Sequence, residues 1–131
     1  MQLNPYLFFN GDCEQALRFY EKHLGGKIEA LMRYGEAPEG TPIESTKDKI
    51  MHARIRIGDS LVMASDAHAN YSKPQGFFLS IPVETPEEAE RVYRPLSDGG
   101  SVILALDKTF FARKFAMLVD RFGTPWMINC E

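Results

Sequence analysis

The sequence has little of what would place it in a specialised class of protein. Among 131 residues there are 2 cysteines, 1 tryptophan and 3 histidines. Cys13 and Cys130 show no CxxC spacing, which argues against a cysteine-based zinc knuckle. No apolar run approaches the roughly 20 residues of a membrane helix, and the N-terminal stretch does not resemble a signal peptide. These absences predict a cytoplasmic protein with reduced thiols and no membrane partner.

The sequence also has only a small excess of negative over positive charge. The formal net charge is -3, with 25% charged and 44% hydrophobic residues, which is ordinary for a globular protein. A weak charge without clusters gives no reason to expect nucleic acid as a partner. The length predicts a single domain, 1–131, large enough for a hydrophobic core.

What the sequence does contain is an internal duplication. The stretch EQALRFYEKHLGGKI (14–28) returns as EEAERVYRPLSDGGSV (87–102). Four residues recur at one constant spacing, and the double glycine at 25–26 recurs at 99–100. The recurring set is Glu14, Ala16, Arg18 and Tyr20, which return as Glu87, Ala89, Arg91 and Tyr93. The duplication predicts two related units, 1–66 and 76–131.

Each unit is predicted to hold one helix among four strands. Asp12 is expected to N-cap the first helix, with Gln15 completing a capping box. Thr85 is expected to N-cap the second, with Pro86 in the first turn and Glu88 three residues after the cap. Strands are predicted over 4–10, 27–34, 49–57 and 60–65, and over 76–84, 101–106, 114–120 and 125–130. The order βαβββ, which occurs twice in the chain, predicts an α+β fold.

Three motifs carry a resemblance to a known family: ALRFYEKHLGG after an aspartate, the hairpin MHARIRIGDSLVM, and VDRFGTPWMI. Together they resemble the vicinal oxygen chelate superfamily of glyoxalases, bleomycin-resistance proteins and extradiol dioxygenases, and within it the PhnB-like branch. The resemblance covers nearly the whole chain. It implies that the two βαβββ units form a curled, incomplete barrel around a cavity for a small molecule. It also implies a homodimer.

Many members of the superfamily hold a divalent cation, with one ligand from each of four strands. The matching positions in this chain are Pro5, His52, Phe78 and Met127. Only His52 has a side chain suited to such a cation, and shifting the alignment by one residue supplies no other. We therefore predict no metal cofactor, with a divalent metal as the alternative.

The strand KIMHARIRI alternates in character, so Arg54 and Arg56 share a face with His52. Arg54 could clamp a carboxylate or phosphate with its planar guanidinium, or it could form a salt bridge to a neighbouring strand. Arg56 is expected to be solvated. The complete set of predicted cavity residues is His52, Arg54, Phe9, Phe78, Ser80, Met127 and Asn129, with Pro5 and Leu7 beside them.

These residues predict a protein that binds a small, partly hydrophobic anion without a metal. One alternative is an enzyme, either a metal-dependent lyase, isomerase or dioxygenase, or a metal-free one that uses His52 as acid or base. Another is a dimeric structural or regulatory protein without a small ligand. Branch members have been labelled methyltransferases of ubiquinone synthesis, but the sequence has no glycine-rich loop for a nucleotide-like methyl donor. No catalytic residue is assigned, and whether the protein is an enzyme stays open.

Overall fold

The computed structural model describes residues 1–38, 47–67 and 69–131. Contacts between residues divide the chain into two compact units, Met1–Ser72 and Lys73–Glu131. No helix in the described part of the chain is long and apolar enough to cross a membrane. His68, which we expect at the surface, lies outside the described residues.

Unit 1 is a four-stranded sheet with one helix. Its elements are β1 (Tyr6–Phe9), α1 (Cys13–His23), β2 (Gly26–Arg33), a short 3-10 turn (Tyr34–Glu36), β3 (Ile50–Ile57) and β4 (Ser60–Asp66). The strand order is β1-β4-β3-β2. Strand β1 runs parallel to β4, while the other neighbours are antiparallel.

Unit 2 repeats this topology. Its elements are β5 (Leu79–Pro82), α2 (Pro86–Ser97), β6 (Ser101–Asp107), β7 (Lys114–Val119) and β8 (Pro125–Cys130), in the strand order β5-β8-β7-β6. Helix α2 includes Pro95 and ends at Ser97, next to the Asp98-Gly99-Gly100 turn. The predicted α+β fold of two βαβββ units is confirmed.

Each helix covers one face of the sheet in its own unit. The buried residues of α1 are Cys13, Ala16, Leu17 and Tyr20, and those of α2 are Ala89, Val92 and Leu96. Alternate residues of β1, β3 and β4 in unit 1, and of β7 and β8 in unit 2, supply the other half of each core, as period-two alternation requires. In unit 1 these are Leu7, Phe9, Ala53, Ile55 and Ala64, and in unit 2 Ala116, Leu118, Trp126 and Ile128. We call the opposite surface of each sheet its helix-free face.

The two helices begin with different caps. At α2 the prediction is confirmed, because the Glu88 amide donates to Thr85 Oγ1 at 3.1 Å. At α1 the predicted capping contact is wrong, since Asp12 occupies the N-cap position without a side-chain capping bond. Its backbone is not in the extended region that favours such a bond. The amide of Cys13 instead donates to Asp66 Oδ1 at 2.9 Å, so the cap comes from the end of β4.

The double glycine performs the same two tasks in both units. Gly25 and Gly99 end their helices with positive φ values of 66° and 76°, a conformation that glycine adopts without strain. The second glycine lies against a neighbouring strand. A Cβ on Gly26 would lie 3.0 Å from Ile55 Cδ1, and one on Gly100 would overlap the carbonyl oxygen of Val119. The sequence repeat is therefore also a repeat of packing.

Candidate functional site

Strand β3 presents two chemically different faces, as its alternation predicts. Ala53 and Ile55 are buried on the helix side. His52 and Arg54 lie on the helix-free face, where they pair with residues of β2. An extra residue, Met51, interrupts the pairing with β2 near the start of the strand. Such a bulge shifts the alternation by one residue, and this explains why Ile50 is buried with the core.

Two aromatic side chains, Tyr6 and Phe8, share this face with His52. Tyr6 pairs with Met63, and Met63 pairs in turn with Arg54, so the three lie in one row across the sheet. The Tyr6 hydroxyl lies 3.3 Å from His52 Nδ1, within hydrogen-bond distance. The Tyr6 ring centroid is 5.9 Å from that of His52 and 5.0 Å from that of Phe8. The helix-free face of unit 1 therefore combines two aromatic rings, an imidazole and a guanidinium.

The two arginines of β3 have different partners. Arg56 donates from Nε to Glu29 Oε2 at 3.0 Å, and this hydrogen bond lowers the pKa of Glu29. Arg56, expected to be solvated, is thus the arginine that bridges to a neighbouring strand. Arg54 makes no hydrogen bond or ion pair with the residues that the structure describes. The residue is exposed, and its charge adds to the effect of Arg56 in lowering the pKa of the Glu29 carboxyl.

Phe9 does not lie with His52. It is only 1% exposed and pairs with Asp66 on the helix side, as Leu7 does with Ala64. The predicted placement of Phe9 and Leu7 beside His52 is wrong by one residue of register, which moves a side chain to the other face. Tyr6 and Phe8 occupy the helix-free positions instead.

In unit 2 three of the predicted site residues share the helix-free face. Ser80 pairs with Met127 across the sheet. Asn129 pairs with Pro82 on one side and with Phe115 on the other. Asn129 Nδ2 donates to Glu131 Oε1 at 3.4 Å. Phe78 is half-buried directly before β5. That residues of both units line one cavity stays a prediction.

Sequence reasoning missed several residues of these faces. In unit 1 they are Tyr6, Phe8 and Met63, and in unit 2 Phe115 and Met117. The ring of Phe115 makes an edge-to-face contact with that of Phe111, with 5.1 Å between the ring centroids. For Phe115 and Met117 the signal was present, because they alternate with the buried Ala116 and Leu118.

Three of the residues at the four metal-ligand positions of the superfamily lack a suitable donor. Pro5 and Phe78 have no donor atom, and Met127 offers a soft thioether. Among the described residues no group of three or more His, Cys, Asp or Glu could hold an ion. That the site works without a metal stays a prediction.

The buried cysteine near the start of α1 is not a reactive thiol. Cys13 is fully buried, and this burial raises the pKa of its thiol, an effect that the nearby carboxylates of Asp66 and Asp12 reinforce. A nucleophilic cysteine needs its thiolate form. Cys13 therefore belongs to the core.

A polar cleft of about 230 Å³ opens at the start of α1. Several of its charged groups already have partners in the fold. Arg33 donates to both carboxylate oxygens of Glu14, at 2.9 and 3.0 Å, which lowers the pKa of Glu14. Lys49 Nζ donates to the Gly11 carbonyl at 2.8 Å. Because these groups are already paired, the cleft is a weaker candidate for a ligand site than the face around Arg54.

Comparisons with known proteins agree with this architecture. The family model described as 3-demethylubiquinone-9 3-methyltransferase matches residues 1–129. The chain is 36% identical over 142 residues to protein YjdN of Escherichia coli K12, covering 98% of this chain and 95% of that protein. It is 46% identical in sequence to protein PA1353 from Pseudomonas aeruginosa, whose crystal structure matches with a TM-score of 0.92. The match covers 100% of this chain and 98% of that chain.

More distant structures share the fold. The PhnB protein from Bacillus cereus is 22% identical, with full coverage of both chains and a TM-score of 0.86. A glyoxalase/bleomycin resistance protein/dioxygenase family enzyme from Burkholderia phytofirmans is 17% identical, covering 97% of this chain and 95% of that one, with a TM-score of 0.66. This chain therefore belongs to the family described as 3-demethylubiquinone-9 3-methyltransferase, and it shares its fold with the glyoxalase/bleomycin resistance protein/dioxygenase family enzyme.

Proposed function

We propose that the protein binds a small, partly hydrophobic anion without a metal, and that the helix-free face of unit 1 holds the charged end. The observation that carries this proposal is the guanidinium of Arg54, which makes no hydrogen bond or ion pair in the described part of the chain and shares a sheet face with the rings of Tyr6 and Phe8. An arginine fork recognises planar anions, and the neighbouring rings favour an apolar or aromatic group attached to the anion.

Methyl transfer is not part of this proposal. The connections from strand to helix are residues 10–12 in unit 1 and 83–85 in unit 2, and they contain one glycine between them. A nucleotide-like methyl donor is usually bound by a glycine-rich turn at the start of a helix. The family model therefore indicates ancestry and not methyl transfer, and the chemistry of the sheet face supports anion binding.

Benzoate is the probe that tests the proposal. Titration followed by amide chemical shifts is expected to move resonances of β3 and β4 around Arg54, because benzoate combines a carboxylate with a ring. Arg54→Gln should weaken benzoate binding about tenfold, since a hydrogen bond to a charged group contributes about 1.5–3 kcal/mol. Benzyl alcohol, which lacks the charge, and acetate, which lacks the ring, should both bind more weakly than benzoate.

Arg91→Gln is the matched control, because Arg91 is an exposed arginine on α2. Equal benzoate affinity in the Arg54→Gln variant and the unsubstituted protein would contradict the proposal. The titration is repeated after dialysis against EDTA, and the affinity is expected to stay the same. A loss of binding that zinc or manganese restores would favour the metal-dependent alternative instead.

We also propose that the protein is a homodimer formed through the edge strand β6. Val102, Ile103 and Leu104 are 45%, 56% and 44% exposed, and the strand has no charged residue before Asp107. The edge strand β2 of unit 1 has the usual protection, with charges at Lys27, Glu29 and Arg33. An unprotected apolar edge pairs readily with another chain, and a second copy presents the same edge.

Light scattering during gel filtration tests the dimer. The unsubstituted protein is expected to have the mass of two chains, and Ile103→Lys the mass of one, because a charge on β6 opposes pairing of the edges. Leu3→Lys, which places the same charge on an apolar residue with 98% exposure, is the control and should stay dimeric. A dimer that survives Ile103→Lys would place the interface elsewhere.

A further inference from the structure

We infer that Tyr6 is a positioning residue which holds His52 in the tautomer protonated at Nε2, so that His52 and Arg54 together select a carboxylate. The inference rests on the proposed function, because it specifies the anion that the helix-free face of unit 1 would bind. It also assigns His52 the role of a neutral hydrogen-bond donor, in contrast to a metal ligand or a general base.

The geometry brings Tyr6 and His52 together from strands that are not neighbours. Tyr6 is on β1 and His52 on β3, with β4 between them, so the two side chains bridge a backbone separation of about 10 Å. Ser65 is a small, buried residue of β4, the strand that lies between Tyr6 and His52, and it pairs with Phe8. The Phe8 ring contacts the Tyr6 ring. The Tyr6 hydroxyl is thereby placed 3.3 Å from His52 Nδ1.

The chemistry of the two groups decides which one donates. A neutral imidazole has one protonated nitrogen and one acceptor nitrogen. A phenol O–H is a much stronger acid than a neutral imidazole N–H, while the unprotonated imidazole nitrogen is a good acceptor. The Tyr6 hydroxyl therefore donates to Nδ1, and the proton of the neutral ring resides on Nε2. A hydrogen bond at one ring nitrogen commonly sets the role of the other in this way.

A protonated Nε2 has two consequences for ligands. It has no lone pair for a cation, because a metal needs the unprotonated nitrogen. It does offer a hydrogen bond to an anion. Arg54 lies two residues along the same face, about 7 Å away along the backbone. A carboxylate can accept from the Arg54 guanidinium with one or both oxygens and from Nε2–H with the second, while its apolar group contacts Tyr6 or Phe8.

The test is the nitrogen NMR spectrum of the histidine rings in the ligand-free, full-length protein at pH 8.5, where histidine is ordinarily neutral. His52→Gln assigns the His52 signals by their disappearance. In the unsubstituted protein, Nε2 should be the protonated nitrogen and Nδ1 should show the shift of a hydrogen-bonded acceptor. In Tyr6→Phe the Nδ1 signal should move to the position of an acceptor without a hydrogen bond. Tyr93→Phe on α2 is the control and should leave both signals unchanged.

Protonation at Nδ1 in the unsubstituted protein would overturn the inference, as would an Nδ1 signal that does not respond to Tyr6→Phe. The second measurement is benzoate affinity, which should fall about threefold in Tyr6→Phe and about fivefold in His52→Gln. An unchanged affinity in both variants, with the expected ring signals, would remove the carboxylate part of the inference. If no variant or wild-type protein binds benzoate, the proposed function fails, whereas the tautomer result is read from ligand-free protein and stands independently.

Discussion

Asp66→Ala is expected to lower the free energy of unfolding by about 4 kcal/mol, because it removes both acceptors of two buried backbone amides. Asp66 is 2% exposed. Its Oδ1 accepts from the Cys13 amide at 2.9 Å, and its Oδ2 accepts from the Ile50 amide at 2.8 Å. One carboxylate thus connects the start of α1, the start of β3 and the end of β4. Alanine would leave both amides without an acceptor away from water.

Chemical denaturation followed by far-ultraviolet circular dichroism measures this effect. Fluorescence is the wrong probe, because the single tryptophan, Trp126, lies in unit 2. Asp66→Asn keeps one acceptor oxygen and should lose about half as much free energy as alanine. Asp59→Ala, at an exposed hairpin turn, is the control and should change the free energy of unfolding by less than about 1 kcal/mol.

Hydrogen exchange adds a residue-level measurement. The amides of Cys13 and Ile50 should lose protection in Asp66→Ala before amides in the centre of β3 do, because local opening begins where bonds are lost. If Asp66→Ala unfolds within about 1 kcal/mol of the unsubstituted protein, the carboxylate does not have the role that its contacts indicate.

The same carboxylate shows why the helix caps could be predicted only in part. Thr85 caps α2 from the adjacent residue, so the local pattern of threonine, proline and glutamate contains the whole signal. Asp66 caps α1 from 53 positions away in the chain. No local pattern distinguishes this aspartate from Asp12, which stands at the expected position.

Strand register also limited how much of the candidate site could be predicted from the sequence. In β3 polar and apolar residues alternate, and the faces of His52 and Arg54 follow directly from the sequence. In β1 the residues YLFF are all apolar or aromatic, so hydrophobicity does not say which of Phe8 and Phe9 faces the helix. The contact of Tyr6 with His52 was out of reach for the same reason, because it requires the register of β1 against β4.

Gly100→Ala is expected to lower the free energy of unfolding by about 3 kcal/mol, as a methyl group forced into a closely packed contact does. The new Cβ would overlap the carbonyl oxygen of Val119 and approach the Asp120 backbone at 3.0 Å. These are backbone atoms at the end of β7, so they cannot rotate away as a side chain would. Asp120 is buried and accepts hydrogen bonds from the Thr124 amide at 3.0 Å and from Trp126 Nε1 at 2.8 Å.

A shift of β7 that accommodates the methyl group would therefore strain the turn into β8, and Trp126 fluorescence should report it together with the loss of stability. Gly25→Ala is the matched control. Gly25 has a positive φ but no atom within 4 Å of an added Cβ, so its substitution should have only the conformational cost of about 1 kcal/mol. Equal losses in the two variants would mean that backbone conformation, and not the contact with Val119, explains the glycine at position 100. A threefold larger loss at Gly100 would show that the second glycine of the repeated pair is required by packing.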